Sequence, residues 1–234
     1  MAAIFRREFK AYFHTPLGYV IIAAAYFFTG YYFFTYNIYG GTTDFTQLYS
    51  LLFSVVLFLI PVLTMRLMSE EMKSKTDQLL LTAPISRLSI VMGKYFSAIC
   101  VFLIAIAGTL VTAIIASFYG KVDWPCVIGN FIGLFLLGIA QIAICLFLSS
   151  ITESQVIAAV LGFAVSLFLL LVDAISYVVS SDFLKEIFEY ISFNERYSPF
   201  TLGVIELKNV IFFISIAALF CAFSTATLER KRWN

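Results

Sequence analysis

The placement of charge along this chain fixes its class. Six stretches carry no Asp, Glu, Lys or Arg: residues 11–43, 45–65, 95–120, 124–152, 154–172 and 209–228, of 33, 21, 26, 29, 19 and 20 residues. A helix needs about 20 apolar residues to cross the roughly 30 Å hydrocarbon layer of a bilayer. Every stretch meets that need, and the fifth continues past Asp173 to residue 181. The expected fold is an all-α membrane protein with six transmembrane helices, near 18–38, 48–67, 95–118, 125–149, 154–179 and 207–228. Strands of a membrane barrel would give short alternating segments, not unbroken runs of this length. Only 12% of residues are charged, against about 25% in soluble domains. The first run does not read as a cleaved leader. It is too long, it follows ten amphipathic residues, and no small-residue cleavage site closes a short core.

Lys and Arg set the orientation. Eleven of the 15 fall at one side: the N-terminus (Arg6, Arg7, Lys10), the second loop (Arg66, Lys73, Lys75, Arg87, Lys94) and the C-terminus (Arg230, Lys231, Arg232). Both termini are therefore expected in the cytoplasm. The chain reads as one transmembrane domain. Residues 1–16 form an interfacial helix, 18–67 the first two spans and 69–94 a cytoplasmic region. Residues 95–179 carry three more spans, 180–206 an outer loop and 207–228 the last span.

The connecting segments hold the candidate sites. In the N-terminal stretch Phe5, Phe9, Tyr12 and Phe13 share one helical face, while Arg6, Lys10 and His14 share another. This suits a helix lying in the membrane interface, or a plain positive anchor. In the second loop, Ser69 is placed to cap a helix whose first turn holds Glu70 and Glu71. Pro84 disfavours helix at Ala83, so about three turns are expected, followed by a segment from Ser86 to Lys94 leading back into the membrane. Such an element suits contact with a soluble partner, and a solvated loop is the alternative. Thr152 to Gln155 has capping-box spacing before the fifth span. In the last loop Leu184, Ile187, Phe188 and Ile191 make an apolar helical stripe, and Asn194 to Pro199 reads as a break. Ser154, Ala158, Gly162 and Ser166 form a small-residue stripe, and Gly129 and Gly133 a second; such stripes serve dimerisation or packing within one chain. Tyr26, Tyr31, Asp173 and Phe188 are candidate pathway or gate residues, Asp173 because a charge between membrane sequences marks a site by default.

Several chemistries are missing. Gly93-Lys94 is followed by Tyr95, and Leu88 stands where a phosphate loop needs glycine. With His14 alone there is neither a zinc cluster nor a Ser/His/Asp set, and the four cysteines show no paired spacing. No chain of intramembrane carboxylates is present to drive an ion-coupled carrier. A net charge of +1 argues against nucleic-acid binding. No catalytic, cofactor-binding or metal residue is assigned, and any energy source is expected in another subunit.

Glu70-Glu71, Thr76-Asp77-Gln78-Leu79-Leu80-Leu81-Thr82-Ala83-Pro84 and Gly93-Lys94 resemble the cytoplasmic signature of type-2 (export) ABC transporter permeases. The stretch from Ser198-Pro199-Phe200 through Gly203 to Leu228-Glu229-Arg230-Lys231-Arg232-Trp233 is similar to the gliding-motility-type branch. The resemblance implies a type V exporter-like fold and a permease half-unit that pairs with itself or a sister permease. Two cytoplasmic ATPase subunits would bind ATP and Mg. It makes Glu70, Glu71, Lys73, Thr76, Asp77, Leu79, Leu80, Thr82 and Pro84 the ATPase-docking coupling helix. The N-terminal helix, with Phe5, Arg6, Phe9 and Lys10, becomes the connecting helix. The segment 181–206 becomes the short outer re-entrant region. The branch often includes an auxiliary membrane protein with an extracytoplasmic domain. The implied location is a bacterial or archaeal-type plasma membrane. A scaffold that recruits an ATPase without moving substrate, and an ion-coupled carrier, are the alternative classes. Nine aromatics in the first span, Tyr19 to Tyr36, suggest a lipid-like, peptide or other amphipathic substrate.

Overall fold

The computed structural model describes residues 1–75, 86–178 and 192–233, with side chains omitted for 173–178 and 231–233. Every regular element among them is a helix. In chain order these are α1 (Ala2–His14), α2 (Pro16–Tyr32) running into a π-helical turn (Phe33–Ile38), α3 (Thr46–Thr64), α4 (Ser69–Lys73), α5 (Arg87–Ser117), α6 (Trp124–Ile151), α7 (Gln155–Val178), α8 (Phe193–Thr201) and α9 (Leu207–Trp233). Six helical stretches are long and apolar enough to cross a membrane: Pro16–Ile38, Thr46–Lys73, Arg87–Ser117, Trp124–Ile151, Gln155–Val172 and Leu207–Arg230.

The fourth span, α6, is the hub. It packs against α3, α5, α7, α8 and α9. Two thirds (67%) of its most apolar stretch is buried, against 28% for the first and fifth spans and 22% for the sixth. Those three outer spans bury a single stripe each. In α9 the stripe is Asn209, Phe213, Ala217, Cys221, Ser224 and Leu228, at helical spacing. Their other faces, including Phe27, Val160 and Ile211, remain exposed and apolar, as suits lipid or a neighbouring chain.

A proline links three spans. Pro61 lies inside α3 and has no N–H, so the carbonyl four residues earlier loses its helical donor. That carbonyl, Leu57 O, accepts instead from Ser166 Oγ of α7 at 2.6 Å. Gln141 of α6 donates Nε2 to the same hydroxyl at 2.9 Å. A backbone carbonyl freed in lipid must find such a partner. Gly162, one turn before Ser166, lets α7 press onto Pro61; a Cβ there would stand 2.8 Å from the proline ring. The α7 small-residue stripe therefore packs within the chain at Gly162 and Ser166.

The second stripe does the same at the end far from the termini. A Cβ on Gly129 would lie 2.8 Å from Gly203 Cα, and one on Gly133 2.7 Å from Phe200. These gaps admit α8. Asn130 donates to Thr201 O (3.3 Å) and accepts from Tyr197 OH (3.3 Å). The segment expected to break at Asn194–Pro199 is thus a helix. Ser192 Oγ accepts from Glu195 N at 2.9 Å, and Phe193, Tyr197 and Phe200 are buried, which outweighs the lost donor of Pro199. The stripe from Leu184 to Ile191, with Phe188, lies outside the described residues.

Boundaries shift where local chemistry differs from the expectation. α5 begins at Arg87, capped by Ser86 Oγ accepting from Ser89 N at 3.4 Å, so Ser86–Lys94 is the first part of the third span. The fifth span is capped by Ser154, which accepts from Ile157 N at 3.4 Å, not by Thr152. The four cysteines are free thiols.

The Pro61 joint makes a specific prediction. Ser166→Ala orphans Leu57 O and should destabilise the protein by about 1 kcal/mol. In a Pro61→Ala background, where Leu57 O regains its helical donor, the same change should cost less, with only the loss of the Gln141 Nε2 bond remaining. Thermal unfolding of the four proteins in detergent measures the cycle; equal costs in both backgrounds would refute the joint.

Candidate functional site

The polar loop between spans 2 and 3 is mounted on an ion cluster. Lys94 lies on α5 and is 1% exposed. An ammonium has three N–H donors, and three acceptors meet them. Nζ donates to Leu67 O at 2.6 Å, to Glu71 Oε2 at 2.9 Å and to Glu8 Oε1 at 3.3 Å. Arg7 bonds both carboxylates, Glu8 at 2.5 Å and Glu71 as well. Two cations and two anions, with one backbone carbonyl, thereby tie α1, the α3–α4 turn, α4 and α5. Gly93 makes the approach of α1 possible: a Cβ there would stand 3.0 Å from the Ile4 side chain.

The electrostatics follow from the geometry. Burial favours the protonated form of Glu8, but Lys94 and Arg7 outweigh it and hold this carboxyl below its ordinary value. Burial disfavours the charged form of Arg7, and Glu8 and Glu71 overcome it, so its guanidinium is held still more firmly ionised.

A second contact set extends the mount. Arg66 pairs with Glu70 at 3.2 Å, donates to Thr15 Oγ1 at 2.6 Å and lies 5.6 Å from the centre of the Tyr12 ring. Tyr12 donates its hydroxyl to Leu63 O at 2.8 Å. On the other flank, Ser149 of α6 accepts from Met68 N (3.1 Å) and Ser69 N (3.2 Å) and donates to Met65 O (3.2 Å). Arg87 pairs with Glu229 of α9 at 2.8 Å.

The expected site residues divide. Glu71 turns inward to Lys94 and Arg7, while Glu70 and Lys73 are exposed. Ser69 does not cap the helix: its hydroxyl bonds Met65 O, and its N–H is taken by Ser149 of another span. α4 stops after Lys73, and Lys75 adopts a left-handed φ of 55°, so the three-turn helix is interrupted there. Thr76, Asp77, Leu79, Leu80, Thr82 and Pro84 lie outside the described residues. In α1 the aromatic face exists as a chain of ring contacts, Phe5–Phe9 at 5.9 Å and Phe9–Phe13 at 5.1 Å. Arg6 and Lys10 are exposed. Tyr26 bonds Ile104 O of α5 at 3.0 Å, and Tyr31 is exposed and stacked on Phe27. Asp173 lies within α7, its side chain outside the described residues.

Sequence reasoning missed Lys94, Arg7 and Glu8 as a unit. Lys94 was expected to mark a membrane boundary, and nothing in its neighbours announces that its partners come from 86 and 23 residues away.

A sequence model for the ABC-2 family transporter protein matches residues 34–231, most of the chain. The chain belongs to the ABC-2 transporter family. No curated protein matches it. This ABC-2 chain is a multi-pass membrane protein and a transmembrane permease component of an ABC transporter. The family is a membrane component that lacks the nucleotide-binding domain, and membership implies a partner ATP-binding subunit.

Two measurements probe the cluster. Lys94→Met leaves buried anions short of a cation and should destabilise the permease by about 3 kcal/mol, read as a loss of melting temperature in detergent; an unchanged temperature would show that the pairing contributes nothing. The second is pH. Glu8 is depressed in the folded state below its ordinary 4.5, so the unfolded chain binds more protons as pH falls. Its contribution is complete above pH 4.5 and disappears as pH drops through the folded value. Glu8→Gln should flatten the acid limb of the melting temperature and leave its neutral-pH slope alone.

Proposed function

We propose that this permease is the membrane half-unit of an ATP-driven exporter, moved by a separate ATPase that docks on the loop between spans 2 and 3. ATP and Mg would be held by that ATPase. A second copy or a sister permease would complete the membrane part, with the conduit between the halves. Both termini then face the cytoplasm, which agrees with 11 of the 15 Lys and Arg at that side and with the positive-inside rule. The membrane would be a bacterial or archaeal-type plasma membrane. The likeness of the C-terminal stretch to the gliding-motility-type branch would add an auxiliary membrane protein.

The observation that carries the reading is the Lys94 mount. A loop that receives force must be held stiffly where it joins the membrane helices. Here the ten residues 76–85 depart from α4, fixed through Glu71 to Lys94 and Arg7, and return at α5, fixed through Arg87 to Glu229. Closure of an ATPase pair on this loop would shift the permease halves between inward- and outward-facing states, through contacts that differ between the two. Glu70, Lys73, Thr76, Asp77, Leu79, Leu80, Thr82 and Pro84 would form the docking surface. Glu71 would hold it from behind.

Co-expression with a candidate ABC ATPase subunit that co-purifies with the unaltered permease tests the assignment. Leu80→Asp places a charge in the docking surface and should cut recovery of the ATPase by about tenfold, with membrane insertion unchanged. Undiminished recovery would overturn the docking site. Recovery in the unaltered protein without any substrate that alters ATP turnover would favour a scaffold.

A further inference from the structure

The helix α1 carries three parallel rows of side chains, each stepping by four residues. Ile4, Glu8 and Tyr12 face the bundle. Ile4 meets Gly93 of α5, Glu8 bonds Lys94 at 3.3 Å, and Tyr12 donates to Leu63 O at 2.8 Å. Phe5, Phe9 and Phe13 form the next row, half-buried and in contact ring to ring. Arg6, Lys10 and His14 form the third, and all three are exposed. Successive residues turn by about 100° around an α-helix, so the aromatic row lies between the other two, about 100° from each.

The bundle contacts decide which way each row points. An isolated amphipathic helix can roll about its axis, but three contacts one turn apart hold α1 at one angle. Arg7 stands nearly opposite the aromatic row, about 160° around from Phe9, and it bonds Glu71 at the start of the polar loop. The rings are therefore turned away from that loop. Their row continues along the first span, where Phe13 meets Tyr19 at 5.5 Å and Tyr19 and Val20 are exposed. With the rings toward hydrocarbon and the loop toward water, the basic row points sideways, away from the bundle, at the depth of the lipid headgroups.

The charge of this row has no answer within the described residues. Glu8 and Glu71 are taken by Lys94 and Arg7, and Glu70 by Arg66. Among the described residues Arg6 and Lys10 form no ion pair. We propose that Arg6, Lys10 and His14 hold the phosphate of an anionic phospholipid in the leaflet on the loop side, with its acyl chains against Phe5, Phe9 and Phe13. Basic residues beside a membrane span attract such lipids. The pairing of rows favours a lipid over an acidic protein, because one phospholipid carries both the anion and the apolar chains that the two rows take. The site is independent of ATPase docking.

Tryptophan quenching of the full chain in lipid nanodiscs tests it. Phe9→Trp places a reporter in the aromatic row, its emission taken as the difference from the unaltered protein, which has Trp124 and Trp233. The discs are phosphatidylcholine doped with chain-brominated phosphatidylglycerol or chain-brominated phosphatidylcholine. At low salt the anionic lipid should be preferred at the reporter by on the order of tenfold, and the preference should fall as salt is raised. Arg6→Gln with Lys10→Gln should erase it, and Arg6→Lys with Lys10→Arg should keep most of it. Loss of the same charge through Arg230→Gln with Lys231→Gln should leave it unchanged, which separates a local site from total charge. Neither Arg6 nor Lys10 takes part in an ion pair of the described fold, so an unchanged melting temperature is expected for the altered proteins. Equal quenching by the two lipids, quenching by neither, or a preference that survives Arg6→Gln with Lys10→Gln would each overturn the proposal. Loss of ATPase recovery in that double variant with the lipid preference intact would make the row a protein contact instead.

Discussion

The arrangement of this permease depends on one ammonium group held out of water. A buried charge is tolerated only when it is paired and its hydrogen-bonding capacity is met. Lys94 meets both conditions because three pieces of chain converge on it: α1 through Glu8, α4 through Glu71 and the α3–α4 turn through Leu67 O. None can leave without exposing the charge of another. The cluster fixes the interfacial helix against the third span and gives the polar loop its orientation.

Inside the membrane-spanning part the same requirement takes a neutral form. Pro61 releases a carbonyl, and the bundle answers with a hydroxyl from the fifth span and an amide from the fourth. Close approach at Gly162 brings Ser166 within reach, as close approach at Gly129 and Gly133 brings α8 over the far end. Polar satisfaction and small residues act together, because a hydrogen bond between helices needs their backbones near. α6 takes part in both, which accounts for its burial.

Much of this is legible from the spacing of charge. The six spans, the interfacial helix with Phe5, Phe9 and Tyr12 on one face, and the family signature all lie in local pattern. What escaped lies in pairing across distance. Lys94 looks like the water-side end of a span until Glu8 and Glu71 are seen beside it; with them, α5 can begin at Arg87. Ser69 looks like a cap, but its hydroxyl turns back to Met65 O, and its own N–H is bound by Ser149 from 80 residues away. Pro199 looks like a break, and burial of Phe193, Tyr197 and Phe200 against α6 overrides it. The small-residue stripes gave no means of choosing between packing within the chain and between chains; the contacts of Gly162 and Gly133 decide it for those residues.

The α3–α4 turn is restrained in two chemically unlike ways. On one flank the restraint is ionic, through Lys94 and Arg7; on the other it is neutral, through the Ser149 hydroxyl on Met65 O, Met68 N and Ser69 N. A body clamped on two sides cannot pivot. Acid, which neutralises carboxylates, weakens only the first clamp, where the Lys94 ammonium keeps its bond to Leu67 O, and leaves the serine contacts in place. The loop would lose its rigidity in a defined direction while staying attached to the hub, so loss of force transmission and loss of the fold would be separate events.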